Sequence, residues 1–182
     1  MLDEKINKIL ESGNKVKKIE TLESLENTND PEIINKIISK LDDSDIEVRG
    51  EAFSSLVLNE NDISNMLIQN LKSESKNIRG FSTLVLANRR NSDSISVITN
   101  LTKDQSGMVR ACALGSLGYL KAKQAHKEIH DCFFDSNVEV KKSALKAAID
   151  IEDIISSEET IQLSKEKDPE IEKLLLQAKI NS

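Results

Sequence analysis

The pattern that most constrains this chain is repetition at a period of about 31 residues. The stretches "IEVRGEAFSSLVL" from Ile46, "KNIRGFSTLVLA" from Lys76, "MVRACALGSLGYL" from Met108 and "VEVKKSALKAAID" from Val138 share one order of residue types. Arg49, Arg79, Arg110 and Lys141 fall 30, 31 and 31 residues apart. Behind them, Ala52, Ser82, Ala113 and Ala144 hold one small-residue position, and Leu56, Leu86, Leu117 and Ala148 hold another. A weaker copy, "PEIEKLLLQAKI", begins at Pro169. Self-similarity at such a period marks a chain built from one supersecondary unit stacked on its own copies.

Each copy predicts a helix. Counting from the leading Val48, Ile78, Val109, Val140 or Ile171, apolar or small residues recur at +4 and +8, with others at +5 and +7. That is a helical stripe and not strand alternation. Three residues before each leading position stand Asp45, Ser75, Ser106, Asn137 and Asp168, side chains suited to accept from the unpaired N–H groups of a first turn. Pro169 fits the first helical position. Upstream lies a second helical pattern, as in Ile34, Ile37, Ile38 and Leu41, then Met66, Leu67, Ile68 and Leu71, then Ile95, Ile98 and Leu101. Asp30, Asp62, Asp93 and Ser157 are placed to start these helices. The expected fold is therefore all-α, an α-α superhelix of about six helical hairpins in a single solenoid over 1–182, with approximate repeats 1–28, 29–59, 60–90, 91–121, 122–154 and 155–182. One hairpin alone buries too little apolar surface to offset its ordering, so each must lean on its neighbours.

The order of acidic residue, hydrophobic residue, Arg, Ala and Leu at these offsets resembles that of HEAT-repeat proteins, in the short variety called PBS-lyase-like. The resemblance implies that Asp43, Asp104 and Asp135, with Arg49, Arg79, Arg110 and Lys141, form a structural ladder beside the turns between helices. Ser73 and Glu166 depart from the acidic position, Glu172 replaces the base in the last copy, and "VKKIETLESL" aligns in two registers. The resemblance further implies that the second helices line a concave face.

Composition limits the function. Thirty-one acidic residues against 25 basic give a net charge of −6, which disfavours nucleic acid and anionic membranes. No apolar run is long enough for a membrane span, and acidic residues replace the basic start of a secretory signal, so a cytoplasmic location is expected. "HKEIH" puts His126 and His130 four residues apart, a spacing that can serve a metal, but in the order H-x-E-x-H and with no other His in the chain. Cys112 and Cys132 read as reduced, half-buried thiols. "GSLG", Gly115 to Gly118, fits close helix packing better than phosphate binding. No catalytic constellation, metal site or cofactor is expected.

Positions +2, +6 and +10 of the second helices point away from the core. They read Gly50, Ser54, Leu58, then Gly80, Leu84, Asn88, then Ala111, Gly115, Tyr119, then Lys142, Lys146, Asp150. The small and apolar members suggest a shallow trough flanked by Arg89, Arg90, Lys142 and Lys146. The expected partner-binding residues are Leu58, Leu84, Asn88, Arg89, Arg90, Tyr119, Lys142 and Lys146, and the expected ligand is a helix or peptide of another protein with apolar and acidic residues. The function so read is a non-catalytic scaffold or adaptor. An accessory enzyme of the PBS-lyase-like group, either a chromophore lyase or a metal-dependent modifying enzyme, is the alternative.

Overall fold

The computed structural model describes residues 2–180, and among these residues there is no strand. The chain forms α1 (Leu2–Ser12), α2 (Lys15–Ser24), α3 (Pro31–Ser39), α4 (Ile46–Leu58), α5 (Ser64–Asn70), α6 (Lys76–Asn88), α7 (Ile95–Asn100), α8 (Gly107–Tyr119), α9 (His126–Asp131), α10 (Val138–Asp150), α11 (Ser157–Ser164) and α12 (Pro169–Ile180). Consecutive helices pack in pairs, α1 on α2, α3 on α4, α5 on α6, α7 on α8, α9 on α10 and α11 on α12. They fall into two compact units, residues 1–89 and 90–182. In the first, α2 packs on α4 and α4 on α6; in the second, α8 packs on α10 and α10 on α12.

The shared positions of the repeat are the core. Val48, Val109, Val140 and Ile171 are fully buried, as are Ala52, Ser82, Ala113 and Ala144 and, behind them, Leu56, Leu86, Leu117 and Ala148. Ile78 is the exception and is half-buried. The first helices contribute Ile34, Ile37, Ile38 and Leu41, then Leu67, Ile98 and Ile129. With so few aromatic residues the layers are thin and aliphatic, and Phe133 is the one ring among the largest fully buried side chains. A small residue at the +4 position lets neighbouring second helices approach until these aliphatic layers interlock.

Local signals start the helices. Asp45 accepts from the N–H of Glu47, Ser75 from Ile78, and Asn137 from Glu139 and Val140. Asp168 accepts from Glu170 and Ile171 in the same way, and Asp30 accepts from Glu32 and Ile33. Three expected caps differ. Ser106 makes no side-chain cap bond; its own N–H is instead donated to Asp104 Oδ1. Asn91 and not Asp93 caps the turn that leads into α7. Ser156, one residue ahead of the expected Ser157, caps α11 in a reciprocal box with Glu159.

Glycine permits a close approach of two second helices at Gly118. A Cβ added at Gly118 in α8 would lie 2.9 Å from Ala147 Cα and 3.0 Å from Asp150 Oδ2 of α10, whereas at Gly50 and Gly115 it would meet nothing within 4 Å. Gly118→Ala should therefore lower stability by about 1–3 kcal/mol through overpacking, despite its better helix propensity. Gly50→Ala and Gly115→Ala should each raise stability by roughly 0.5–1 kcal/mol. Urea denaturation of the three variants reads both signs.

Candidate functional site

The expected ladder residues divide between two kinds of contact, one within a repeat and one between repeats. Each arginine of the second helices turns its guanidinium back onto the turn that precedes its own helix. Arg49 Nη1 donates to the carbonyls of Asp43 (2.7 Å) and Ser44 (3.2 Å). Arg79 Nη1 does so to Ser73 (2.8 Å) and Glu74 (3.0 Å), and Arg110 Nη1 to Asp104 (2.9 Å) and Gln105 (3.3 Å). The bases at Arg110 and Lys141 also reach the following hairpin. Arg110 Nε and Nη2 hold Asp135 at 2.7 and 2.8 Å, a bidentate pair, and Lys141 bonds Glu166. Both pairs span 25 residues, and so does Lys18 with Asp43 at 2.7 Å. Lys18 stands 31 before Arg49, so the structure selects one of the two registers of "VKKIETLESL".

The electrostatics follow from this geometry. Burial pushes the Asp135 carboxyl up, but the hydrogen bond from Arg110, the N–H of Asn137 and the nearby cations outweigh it and hold the group below the ordinary carboxylate range. Asp43 behaves alike, its burial outweighed by Lys18 and the Asp45 N–H.

The outward positions give a mixed picture. In the first unit Ile46, Arg49, Gly50, Phe53, Phe81 and Leu84 line a groove of about 390 Å³ with an almost wholly apolar surface. Leu84 is half-buried in it, Gly80 is buried, and Leu58 is exposed. In the second unit Arg90, Gly115, Tyr119, Leu120, Lys121 and Asp150 line a larger, more polar hollow of about 620 Å³. Asn88 is exposed, but its amide donates to the Leu84 carbonyl of its own helix at 2.8 Å. Phe53, Phe81 and Ile46, absent from the expected set, are the aromatic and aliphatic walls of the first groove. They sit at −2 and +3 to +5 of their helices, edge positions that a strict +2/+6/+10 count passes over.

Three expected rim cations are engaged inside their own units. Arg89 does not stand free: its guanidinium donates to the carbonyls of Leu56 (3.1 Å), Val57 (3.4 Å), Asn59 and Asn61 (2.6 Å), capping the carbonyl end of α4. Lys142 lies among Asp168 (2.9 Å), Glu139 (3.1 Å) and Glu170 (3.4 Å), and these carboxylates raise its pKa, Asp168 foremost. Lys146 bonds Glu170 at 2.6 Å. Arg90 differs from them, being exposed with no ion pair among the described residues.

Of the two histidines, His126 is exposed and His130 is held by carboxylates. His130 Nδ1 lies 2.7 Å from Glu159 Oε1 and its Nε2 3.3 Å from Asp153 Oδ2, which fastens α9 to the start of the last hairpin. Among the described residues no group of three His, Cys, Asp or Glu side chains is arranged to hold a metal ion. Burial pushes the Cys112 and Cys132 thiols up to about 11, so both stay protonated near neutrality. No described helix is long and apolar enough to cross a membrane.

Stacked helical hairpins with a recurring layer and a ladder of bases define an all-α repeat protein of the solenoid class. A family model described as HEAT repeats matches residues 64–149, so this stretch is similar to HEAT repeats. In fold the chain is similar to an engineered protein of known crystal structure, with a TM-score of 0.58 and 18% identity over 98% of this chain and 95% of that one. It is also similar to a designed armadillo repeat protein in complex with the peptide (KR)4, with a TM-score of 0.53 and 18% identity over 97% of this chain and 98% of that one. Computationally designed armadillo repeat proteins for modular peptide recognition give a TM-score of 0.51 at 18% identity, over 97% of this chain and 98% of that one. No curated protein matches the chain.

The lowered pKa values of Asp43 and Asp135 set a sign for acid stability. A carboxyl held below its unfolded value contributes stability in full above the unfolded value, and loses it as pH falls through the folded one. Stability should thus fall between about pH 5 and pH 2. Asp135→Asn should be less stable at pH 7 by roughly 1–3 kcal/mol, because it strands part of the Arg110 guanidinium, and should then lose less on acidification than the parent. Thermal unfolding as a function of pH tests both statements.

Proposed function

We propose that this chain is a non-catalytic scaffold that binds a helix or extended peptide of another protein on the outward faces of its second helices. The observation that carries this reading is the groove on α4 and α6. Six residues of two successive repeats leave an apolar concavity there, and the exposed Leu58 lies on the same helix. A solvated, largely apolar concavity is where apolar anchor side chains of a partner gain most from burial. In the second unit, Tyr119 offers an exposed ring beside the uncommitted cation Arg90, a pair suited to a segment carrying an apolar residue near a carboxylate. The similar fold of a designed armadillo repeat protein whose structure holds a peptide supports the same use of stacked helices.

Because Arg89, Lys142 and Lys146 are spent on internal contacts, acidic residues of the partner are expected to contribute at Arg90 alone. Apolar anchors carry most of the affinity. An accessory enzyme would need a nucleophile, base or metal, and both thiols are protonated while His130 is clamped between carboxylates.

Leu84→Glu combined with Tyr119→Glu should abolish capture of the partner while leaving the circular dichroism spectrum intact. Gly50→Phe, which fills the groove from a position with open space, should weaken capture at least tenfold without disturbing the core. Arg90→Ala should cost only two- to fivefold. Capture that survives the first two changes, or a purified protein carrying stoichiometric metal or chromophore, overturns the scaffold reading.

A further inference from the structure

The last hairpin shows a face that the hairpins before it do not. Leu114 of α8 and Leu145 of α10 occupy the same place in the repeat, 31 residues apart, and both are fully buried. Leu176 of α12, another 31 residues on, is 63% exposed. The second helix α8 has α10 against it, and α10 has α12; among the described residues α12 has no later helix. Ile161 of α11 is likewise 62% exposed. Beside these, Thr160, Ser164, Glu172, Leu175 and Leu176 line a hollow of about 230 Å³.

The ladder changes sign at the same place. Glu172 occupies the position of Arg110 and Lys141, is exposed, and has no ion pair among the described residues. Where a rung forms, the base pairs with an acid 25 residues ahead, at the turn of the following hairpin. An acid in the base's place is matched only by a hairpin whose turn carries a cation, and it repels a turn that carries Asp or Glu.

The first hairpin has such a turn. The place of Asp43, counted back 31 residues, falls on Ser12, and the turn there runs through Gly13 and Asn14 into Lys15 and Lys17, with no acid. The Lys17 side chain has no ion pair among the described residues. Val16 lies between the two lysines and is 58% exposed. It occupies the repeat position of Glu47, Asn77, Met108, Glu139 and Glu170. Of these, Glu47, Asn77 and Glu170 each contact the hairpin before their own, while Glu139 bonds Lys142 of its own helix. Glu47 bonds Lys15 at 2.9 Å, Asn77 bonds Asp42 at 2.7 Å, and Glu170 bonds Lys146 at 2.6 Å. Val16 is thus an exposed residue at a backward-facing position, on a hairpin whose turn carries lysines in place of the acid.

We propose that a second copy of this chain stacks head to tail on the first, the hairpin α11–α12 of one molecule against the hairpin α1–α2 of the next. Leu176 and Ile161 then cover Val16, and Glu172 meets Lys17 as a rung of reversed sign. The contact is heterologous, with different surfaces on the two partners, so it adds molecules end to end. It uses neither groove described above and stands apart from the scaffold reading.

Sedimentation velocity on the full chain, from about 1 μM to about 1 mM, tests this in the range where modest contacts associate. The mean mass should climb from the 20.3 kDa of the single chain through twice that value and beyond. It should fall back when salt is raised from about 50 mM to about 500 mM, where the charge pair is screened. Leu176→Glu and Glu172→Lys change exposed side chains, should leave the circular dichroism unaltered, and should each hold the protein at the single-chain mass. A mixture of Glu172→Lys with Lys17→Glu restores opposite signs and should associate again. A single-chain mass throughout overturns the proposal. So does association indifferent to both Leu176→Glu and Glu172→Lys, or failure of the mixture to associate.

Discussion

A helical hairpin of about 31 residues has more apolar surface than its two helices can cover for each other, and the rest of this structure answers to that constraint. The leading Val48, Val109 and Val140 and the small residues at +4 go to complete burial only because a neighbouring second helix lies within reach. Where that neighbour must come closest, between α8 and α10, even a methyl group is refused at Gly118. Within each unit the core is consequently a set of thin aliphatic layers shared by neighbouring hairpins. Stability then resides at the layer boundaries more than in the hairpins themselves.

Aliphatic layers are tolerant of sliding, since one Leu or Ile fits against another in several registers. The ladder removes that freedom. An Arg that caps two carbonyls of its own turn and also grips an acid of the next hairpin, as Arg110 does with Asp104, Gln105 and Asp135, fixes the phase of one repeat against the next. Most of its stabilisation comes from satisfying backbone groups that the turn would otherwise leave unpaired. Arg49 keeps the intrarepeat half of this arrangement, while Ser73 stands where its acid would be, so the two halves are separable. Arg89 performs a related service at the other end of α4, by gathering carbonyls of a helix terminus.

Much of this was legible in the sequence because the relevant rules are local or periodic. Hairpin positions, the buried layers and four of the five second-helix caps follow from residue type and spacing. Helix ends were not legible. Arg90, Lys121, Glu152 and Lys167 adopt left-handed backbone where a glycine would usually announce the stop, so tertiary packing overrides residue preference at those ends. The committed cations were hidden for another reason. Lys146 meets Glu170 24 residues on, and Arg89 meets carbonyls some 28 to 33 residues back. Neither spacing belongs to the repeat pattern that exposed the ladder, so a count along one helix face showed bare charge where the fold supplies a partner.

That redistribution of charge decides what kind of recognition the surface supports. With Arg89 turned onto the carbonyls at the end of α4, the groove over Gly50, Phe53, Phe81 and Leu84 has Arg49 as the charged member of its lining, and under the scaffold reading its selectivity comes mostly from shape and desolvation. Such a site discriminates weakly between aliphatic anchors that differ by a methylene, and strongly against any segment that would bury an unpaired polar group. Repetition compensates for that coarseness. Under the scaffold reading, outward positions recur between successive hairpins of one unit, so a partner that places apolar residues at the matching rise would gain at both steps, and one in the wrong register at a single step only. The spacing that lets the chain fold is therefore also the spacing by which it would measure a ligand.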